Sequence, residues 1–563
     1  MTSHDSLAAS MQDWANQDPE EGYRNSTLAL IEQLHSGDES AANRANELFG
    51  TRLTFGTAGI RGPMRAGPNG MNRLVISQTT AGLAKYLKEK SAEDQASDLL
   101  VVIGFDGRHH SETFARDTAE VLSGYGIHAA VLPRMLPTPV LAFTVRELDA
   151  DAGIMITASH NPAEDNGYKV YLGHQDGGSQ IIPPVDSDIE AHILTVARGE
   201  TWSSLPRSRD LVSPVDGNIV DKYLDATVES LDLAPPTTPA PSIVYTAMHG
   251  VGGETFLRAM DRAGFPEPLV VEQQFAPNPD FPTVAFPNPE EQGALDLSFE
   301  KARAHRADLI IAHDPDADRL AVALPDSMSP SGYTALTGNQ VGALLGWHMA
   351  RRARSHNIEG SLANSLVSSP VLGKIARHFG LNHRETLTGF KYVSRVENLI
   401  FGFEEALGYL VTPDVVRDKD GISAGLLMVS VAHTLAAEGR TVWDYLREIE
   451  DAVGAFASGQ VTIRLSPSTA GSSITTALRQ RDIGAIGSRA LSQKDDFLDG
   501  VGDFPQEDIL RYYLDDGTRV IARPSGTEPK VKVYIDTEGE TSTEALSRLT
   551  EVESDINELV STL

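Results

Sequence analysis

The chain has 563 residues, 41% hydrophobic and 22% charged, with no cysteine and a formal net charge of −31. This length calls for several domains. The missing cysteine excludes disulfides, thiolate catalysis and sulfur-based zinc sites, and the negative charge opposes binding driven by nucleic-acid phosphates.

An anionic small ligand would need basic residues gathered locally, a requirement the motifs below can be tested against. No apolar run approaches the roughly 18 residues of a membrane span. The start, Met1-Thr-Ser-His-Asp5, lacks the basic and apolar regions of a secretory signal. The expected location is the cytoplasm, with no membrane and no nucleic-acid partner.

Leu28, Leu30, Ile31 and Leu34 fall at helical spacing and predict a helical extension over residues 1–50. Thr54-Phe-Gly-Thr-Ala-Gly-Ile-Arg-Gly62 follows, with glycines that permit close backbone approach and Arg61 set among them to suit an oxyanion. It is neither Gly-x-Gly-x-x-Gly nor a P-loop. Next come a helical pattern over 74–88, a strand over 99–103, the turn Phe105-Asp-Gly-Arg108, a helix over 113–123 and a strand over 129–132. This alternation predicts a mixed α/β domain with parallel strands.

A buried strand, Ala152-Gly-Ile-Met-Ile156, then runs into Thr157-Ala-Ser-His-Asn-Pro162. Asn161-Pro162 and Asn166-Gly167 are turn signals, so Ser159 stands where a rigid strand hands over to a loop. A serine there is by itself a cap or turn former; its company gives it meaning.

Periodicity lapses over 205–215, where a boundary is expected. Strand candidates follow at 243–246, 269–271 and 309–312, with a proline-rich loop over 277–289. The third strand ends in Asp314-Pro-Asp-Ala-Asp-Arg319. Three carboxylates this close repel one another unless a cation neutralises them, and hard oxygen ligands favour Mg²⁺ or Ca²⁺. An EF-hand is excluded, because Arg319 replaces the glycine at its sixth position and Pro325 the glutamate at its twelfth.

A third unit begins near 331 with a helix over 338–353, and holds Thr386-Leu-Thr-Gly-Phe-Lys391 and Phe401-Gly-Phe-Glu-Glu-Ala-Leu-Gly408. Glu404 could accept hydrogen bonds from sugar hydroxyls. The last hundred residues read as a hairpin over 512–522 turning at Asp515-Asp516-Gly517, the loop Arg523-Pro-Ser-Gly-Thr-Glu-Pro-Lys530, a strand over 531–535 and a closing helix. Hydroxyls, a glycine and flanking cations in that loop describe a phosphate cradle. The basic residues do gather in the motifs, as Arg61, Arg319, Arg523 and Lys530.

The expected fold class is α/β: three consecutive mixed α/β domains plus a smaller C-terminal α+β domain. Residues 1–50 form the helical extension, 51–208 carry the serine loop, 209–330 the aspartate loop, 331–457 the Glu404 loop and 458–563 the phosphate cradle.

Four of these stretches, in this order, resemble the phosphoserine, metal, sugar and phosphate loops of the α-D-phosphohexomutase superfamily, the phosphoglucomutases and phosphomannomutases. The resemblance covers about residues 53–534. Phe55 to Gly62, Asp314 to Asp318, Thr388-Gly-Phe-Lys391 and Gly402-Phe-Glu-Glu-Ala406 look most like the phosphoglucomutase 2 branch, which includes phosphopentomutases and sugar-bisphosphate synthases.

The resemblance implies domains around a central active-site cleft and a phosphoryl group carried on Ser159. It implies Mg²⁺ held by the Ser159 phosphoryl group, Asp314, Asp316 and Asp318, and a sugar bisphosphate as intermediate and activator. The substrate's phosphate would dock on Arg523, Ser525, Gly526, Thr527 and Lys530, and its ring on Glu404 and Lys391 with Thr388 and Gly389. Arg61, Lys169 and Arg319 would stabilise transferred charge. Lys169 is the first choice of general base and His160 the second.

The implied activity interconverts the 1-phosphate and 6-phosphate of glucose or mannose, by a monomer or homodimer. Alternatives are a phosphopentomutase, a hexose-bisphosphate synthase, or a non-catalytic sugar-phosphate sensor. Two positions depart from the pattern: Ala406 where many members carry a serine, and Gly408 where some bacterial members carry a histidine. One hydroxyl that would bond the sugar is therefore missing.

Overall fold

The N-terminal stretch folds into three helices, Ser3–Gln17, Glu21–His35 and Glu39–Phe49. Their apolar faces meet in a small core of Met11, Leu30, Ile31, Ala41 and Ala45. Asp38 caps the third helix by accepting the Ser40 N–H at 2.8 Å. The computed structural model describes residues 3–94, 98–464, 472–524 and 530–561. The chain divides into two compact units, Met1–Ala335 with Gly408–Ala437, and Leu336–Leu407 with Glu438–Leu563.

In the first unit, one sheet runs in the order Ile60–Pro63, Asp165–Leu172, Ala152–Ile156, Leu100–Phe105, His128–Val131, Val212–Pro214. Its last four strands are parallel, as the alternation predicts, because helices return the chain between them. Asp165–Leu172 breaks the rule and runs antiparallel to both neighbours. Only residues 157–164 join it to Ala152–Ile156, too few for a crossover. Asn166-Gly167, a turn by composition, lies inside this strand; Gly167 is needed there because a Cβ would meet the Thr157 carbonyl oxygen at 2.5 Å. Val212–Pro214 pairs with His128–Val131 and so belongs to the first sheet, beyond the boundary expected at 208.

A second sheet in the same unit places Leu269–Val270, Ile243–Thr246 and Leu309–His313 in parallel, then adds Leu320–Pro325 and Tyr333–Ala335 antiparallel. Tyr333–Ala335 lies past the boundary expected near 331. The serine loop and the aspartate loop are thus built alike. Each leaves the carboxyl end of a buried parallel strand and returns antiparallel, where open α/β sheets place ligands.

In the second unit, Asn382–Thr386, Ser361–Ser365 and Leu399–Glu404 lie parallel. The helix Gly338–Ser355 is started by a capping box between Thr337 and Gln340. Six antiparallel strands follow in the order Ala455–Arg464, Lys530–Gly539, Arg519–Pro524, Leu510–Leu514, Arg489–Asp496, Ala485–Ile486. Helix Ser542–Ser561 covers them with Ala545, Leu549, Val552 and Ile556, an apolar stripe at helical spacing. This sheet takes up Ala455 to Ala457, ahead of the boundary expected at 458.

Candidate active site

Ser159 follows the strand Ala152–Ile156, with φ at +54° and only 3% exposure. The Thr157 hydroxyl accepts its N–H at 2.9 Å. Its Oγ donates to Asp314 Oδ2 at 3.0 Å and lies 3.2 Å from His160 Nδ1. The serine and the aspartate loop, 155 residues apart in sequence, therefore meet inside one unit.

The aspartate loop is tied to itself: Arg319 N–H bonds Asp314 Oδ1 at 3.0 Å and Ala317 N–H bonds the Asp314 carbonyl at 2.9 Å. Asp314, Asp316 and Asp318 are each fully buried, with one oxygen apiece lying within 4.8 Å of the others. Thr138 donates to Asp316 Oδ2 at 2.7 Å. Lys169 Nζ reaches Asp316 Oδ2 at 2.8 Å and Asp318 Oδ2 at 3.1 Å, and Lys419 Nζ reaches Asp318 Oδ2 at 3.1 Å. Arg61 donates to Asn161 Oδ1 at 3.2 Å, and Arg319 stands 3.9 Å from Asp314 and Asp318.

Burial, and then repulsion from Asp316 and Asp318, pushes the Asp314 carboxyl well above the usual carboxylate range. Burial also opposes ionisation of Asp316, but the Lys169 ammonium and the Thr138 hydroxyl outweigh it and hold that group low. Asp318 is likewise lowered against its burial, chiefly by Lys169 and Lys419. Lys169 itself is raised, because Asp316 and Asp318 overcome its desolvation. Burial, with Arg319 and Arg61 nearby, holds His160 well below its ordinary value.

The donor set fits a hard divalent cation. Asp316 Oδ1 and Asp318 Oδ1 are buried and have no hydrogen-bond partner among the described residues. Unsatisfied carboxylate oxygens are costly to bury. A divalent ion would satisfy both and relieve the repulsion that Asp314 meets.

Lys419 and Arg108, like Thr138, escaped the sequence reading as functional. Lys419 sits in Arg417-Asp-Lys-Asp-Gly421, a charged cluster ahead of the apolar helix Gly421–Ala437, and that contrast was its available signal. Arg108 was read only as part of a turn, yet its guanidinium touches the carbonyl oxygens of Ser159 and Asn161 at 2.7 and 2.6 Å.

The second unit holds the remaining predicted residues. Glu404 ends the strand Leu399–Glu404, and its Oε1 accepts the Gly389 N–H at 2.7 Å. Gly389 has φ +121°, a conformation side chains rarely adopt. The Thr388 hydroxyl is buried without a hydrogen-bond partner among the described residues, and the Lys391 ammonium lies 5.2 Å from the Tyr392 ring centre. Glu405, beside Glu404, accepts from Ser368 at 2.9 Å and Ser365 at 3.2 Å, which anchors the loop from behind. Arg523 lies in the strand Arg519–Pro524 and bonds the Tyr534 hydroxyl. Lys530 opens the strand Lys530–Gly539. Ser525, Gly526 and Thr527 lie outside the described residues.

Comparison with known proteins matches the chain to four successive family models. These are phosphoglucomutase/phosphomannomutase alpha/beta/alpha domain I over residues 52–199, domain II over 221–327, domain III over 337–452, and the C-terminal domain over 483–556. A probable phosphomannomutase of Haemophilus influenzae is 48% identical over 87% of this chain and 98% of its own length. A phosphopentomutase of Mus musculus is 39% identical over 75% of this chain and 71% of its own. The crystal structure of a putative phosphomannomutase from Thermus thermophilus superposes with a TM-score of 0.67 at 21% identity, over 90% of this chain and 99% of that one, a likeness of fold. No single helix among the described residues is long and apolar enough to cross a membrane.

Proposed function

The chain belongs to the phosphoglucomutase/phosphomannomutase family, and from that premise we propose that it moves phosphate between O1 and O6 of an aldohexose, glucose or mannose or both. It is an isomerase of the phosphosugar mutase type. In this reading Ser159 carries the phosphoryl group, and the reaction passes through a sugar bisphosphate.

The observation that carries the proposal is the 3.0 Å approach of Ser159 Oγ to Asp314 in a centre where three carboxylates are matched by Lys169, Lys419, Arg61 and Arg319. A non-catalytic sensor has no use for a buried nucleophile in such surroundings. Asp314, Asp316 and Asp318 would hold Mg²⁺, which when bound neutralises charge on the transferred phosphoryl group.

Ser159 presents its oxygen for in-line transfer, turned to the aspartate loop by its bond to Asp314. Lys169 is committed to Asp316 and Asp318, a role that suits stabilising charge. His160, 3.2 Å from Oγ, is placed to take the Ser159 proton when the serine recovers a phosphoryl group from the bisphosphate. Glu404, Gly389, Lys391 and Thr388 would hold the ring, and Arg523 with Lys530 and the 525–527 segment the distal phosphate. The same reading places the enzyme in the cytoplasm, as a monomer or homodimer.

A pentose substrate is the second reading. It is favoured by the Mus musculus phosphopentomutase relative and by Ala406, which offers no hydroxyl to a larger ring. The deciding experiment is turnover of glucose 1-phosphate, mannose 1-phosphate and ribose 1-phosphate, each with Mg²⁺ and a catalytic amount of the matching bisphosphate. A hexose preference supports the first reading and a ribose preference the second. Intact mass supplies an independent readout: a fraction about 80 Da heavier, one phosphoryl group, that disappears in Ser159→Ala.

A further inference from the structure

The serine loop is held by a residue outside all four motifs. Arg108 follows the strand Leu100–Phe105, and its side chain is 1% exposed. Its Nη2 donates to the carbonyl oxygens of Ser159 at 2.7 Å and Asn161 at 2.6 Å. Its Nη1 donates to those of Pro162 at 2.7 Å and Asp165 at 3.2 Å. Its Nε faces Asp106 Oδ2 at 3.4 Å. The guanidinium face is covered by Phe281, whose ring centre is 5.0 Å from Cζ and which is 4% exposed. Phe281 comes from the proline-rich stretch over 277–289, a sequence feature that the proposed reaction does not use.

The geometry explains why arginine stands there. The four terminal N–H groups of a guanidinium form a rigid planar fork, and here each end meets two carbonyls of one short loop. Carbonyls that converge on one point repel unless a cation gathers them, and carbonyls withdrawn from water are costly to leave unpaired. The bonds therefore over-determine the loop, which lets Ser159 keep its left-handed φ. Asp106 works from the other side: it bonds the Arg108 N–H at 3.0 Å, the Ser111 hydroxyl at 2.7 Å and the Thr157 hydroxyl, which in turn accepts the Ser159 N–H.

We propose that Arg108 is the positioning residue of the nucleophile loop, with Phe281 as the cover that keeps water from competing for its guanidinium. The inference rests on the mutase reading of Ser159. Its effect is geometric: it sets where Oγ points without touching the transferred group. A nucleophile displaced by an ångström loses about 10²-fold in rate.

The test compares wild type, Arg108→Lys and Phe281→Leu by amide hydrogen exchange and by steady-state kinetics on the sugar 1-phosphate that wild type turns over fastest. Lysine keeps the charge but cannot span four carbonyls. Arg108→Lys is expected to speed exchange over 157–165 by about tenfold or more while the strand Leu309–His313 stays protected, and to lower kcat about 10²-fold with KM within about twofold. Phe281→Leu is expected to move both readouts the same way by about threefold.

Unchanged loop exchange in Arg108→Lys, or a loss carried by KM alone, overturns the proposal. If Arg108→Lys does not fold, unchanged loop exchange in Phe281→Leu overturns it equally. A wild type that turns over no sugar phosphate defeats the mutase reading, and the exchange comparison still decides the role of Arg108.

Discussion

The serine–aspartate centre of the first unit and the Glu404 loop of the second both sit at the carboxyl ends of parallel strands, yet they are held differently. Ser159 is 3% exposed and Asp314, Asp316 and Asp318 are 0% exposed, each bound by charged or hydroxyl partners. Glu404, Gly389 and Lys391 are only half-buried, and Glu404 is steadied through a backbone N–H. Low dielectric makes fixed charges strong, which suits groups that must stabilise a transferred phosphoryl group whatever sugar bears it. Partial exposure suits groups that meet a ring only when it arrives. Under the proposed function, the contrast separates a centre that would carry the chemistry from a loop that would choose the substrate.

Replacements in the centre should therefore cost the most. Ser159→Ala is expected to lower kcat by about 10⁴-fold or more and to remove the phosphoryl mass; turnover near the wild-type rate would end the nucleophile assignment. Asp316→Asn should cost about 10³-fold in kcat and raise the Mg²⁺ concentration needed for half-maximal rate. Removing metal from wild type with a chelator should abolish turnover, and Mg²⁺ should restore it; activity indifferent to both would leave the three carboxylates unexplained.

In the Glu404 loop, Glu404→Gln should lower kcat/KM about 10- to 100-fold and change the ratio between sugars. Equal loss on every sugar, as deep as in Asp316→Asn, would erase the distinction between the two regions. Thr388→Val should raise KM about threefold at unchanged kcat, since its buried hydroxyl has no hydrogen-bond partner among the described residues.

The smallest effect concerns stability. Asp420 caps the helix Gly421–Ala437 through the Ser423 N–H and accepts the Tyr223 hydroxyl, and burial pushes its carboxyl up to about 6. Its folded value lies above its unfolded one, so the neutral form favours the native state. That contribution, about 3 kcal/mol at most, is fully present below the ordinary value of 3.8 and is lost as pH rises through about 6. Asp420→Asn should leave Tm unchanged at pH 4 and raise it by a few degrees at pH 8; a fall at pH 8 would mean that the ionised form is the stabilising one.

Local chemistry made much of this protein readable from its residues. An apolar run of five residues followed by Thr157-Ala-Ser-His-Asn-Pro162 places a serine at a strand end, and alternating aspartates after 309–313 mark a candidate cation site. The hairpin over Leu510–Leu514 and Arg519–Pro524 was legible from Asp515-Asp516-Gly517, because turn residues act on their own neighbours. The strand direction of Asp165–Leu172 was not, since Asn166-Gly167 signals a turn in isolation and is overruled by pairing with Ala152–Ile156 and Ile60–Pro63.

The tertiary structure alone brought Arg108 to the serine loop, Lys419 to Asp318, Thr138 to Asp316 and Phe281 over a guanidinium. Periodicity and turn chemistry report on a few adjacent residues. Hydrogen bonds and ion pairs between residues tens to hundreds of positions apart leave no pattern in one sequence, and they exist only once sheet packing has set their distances.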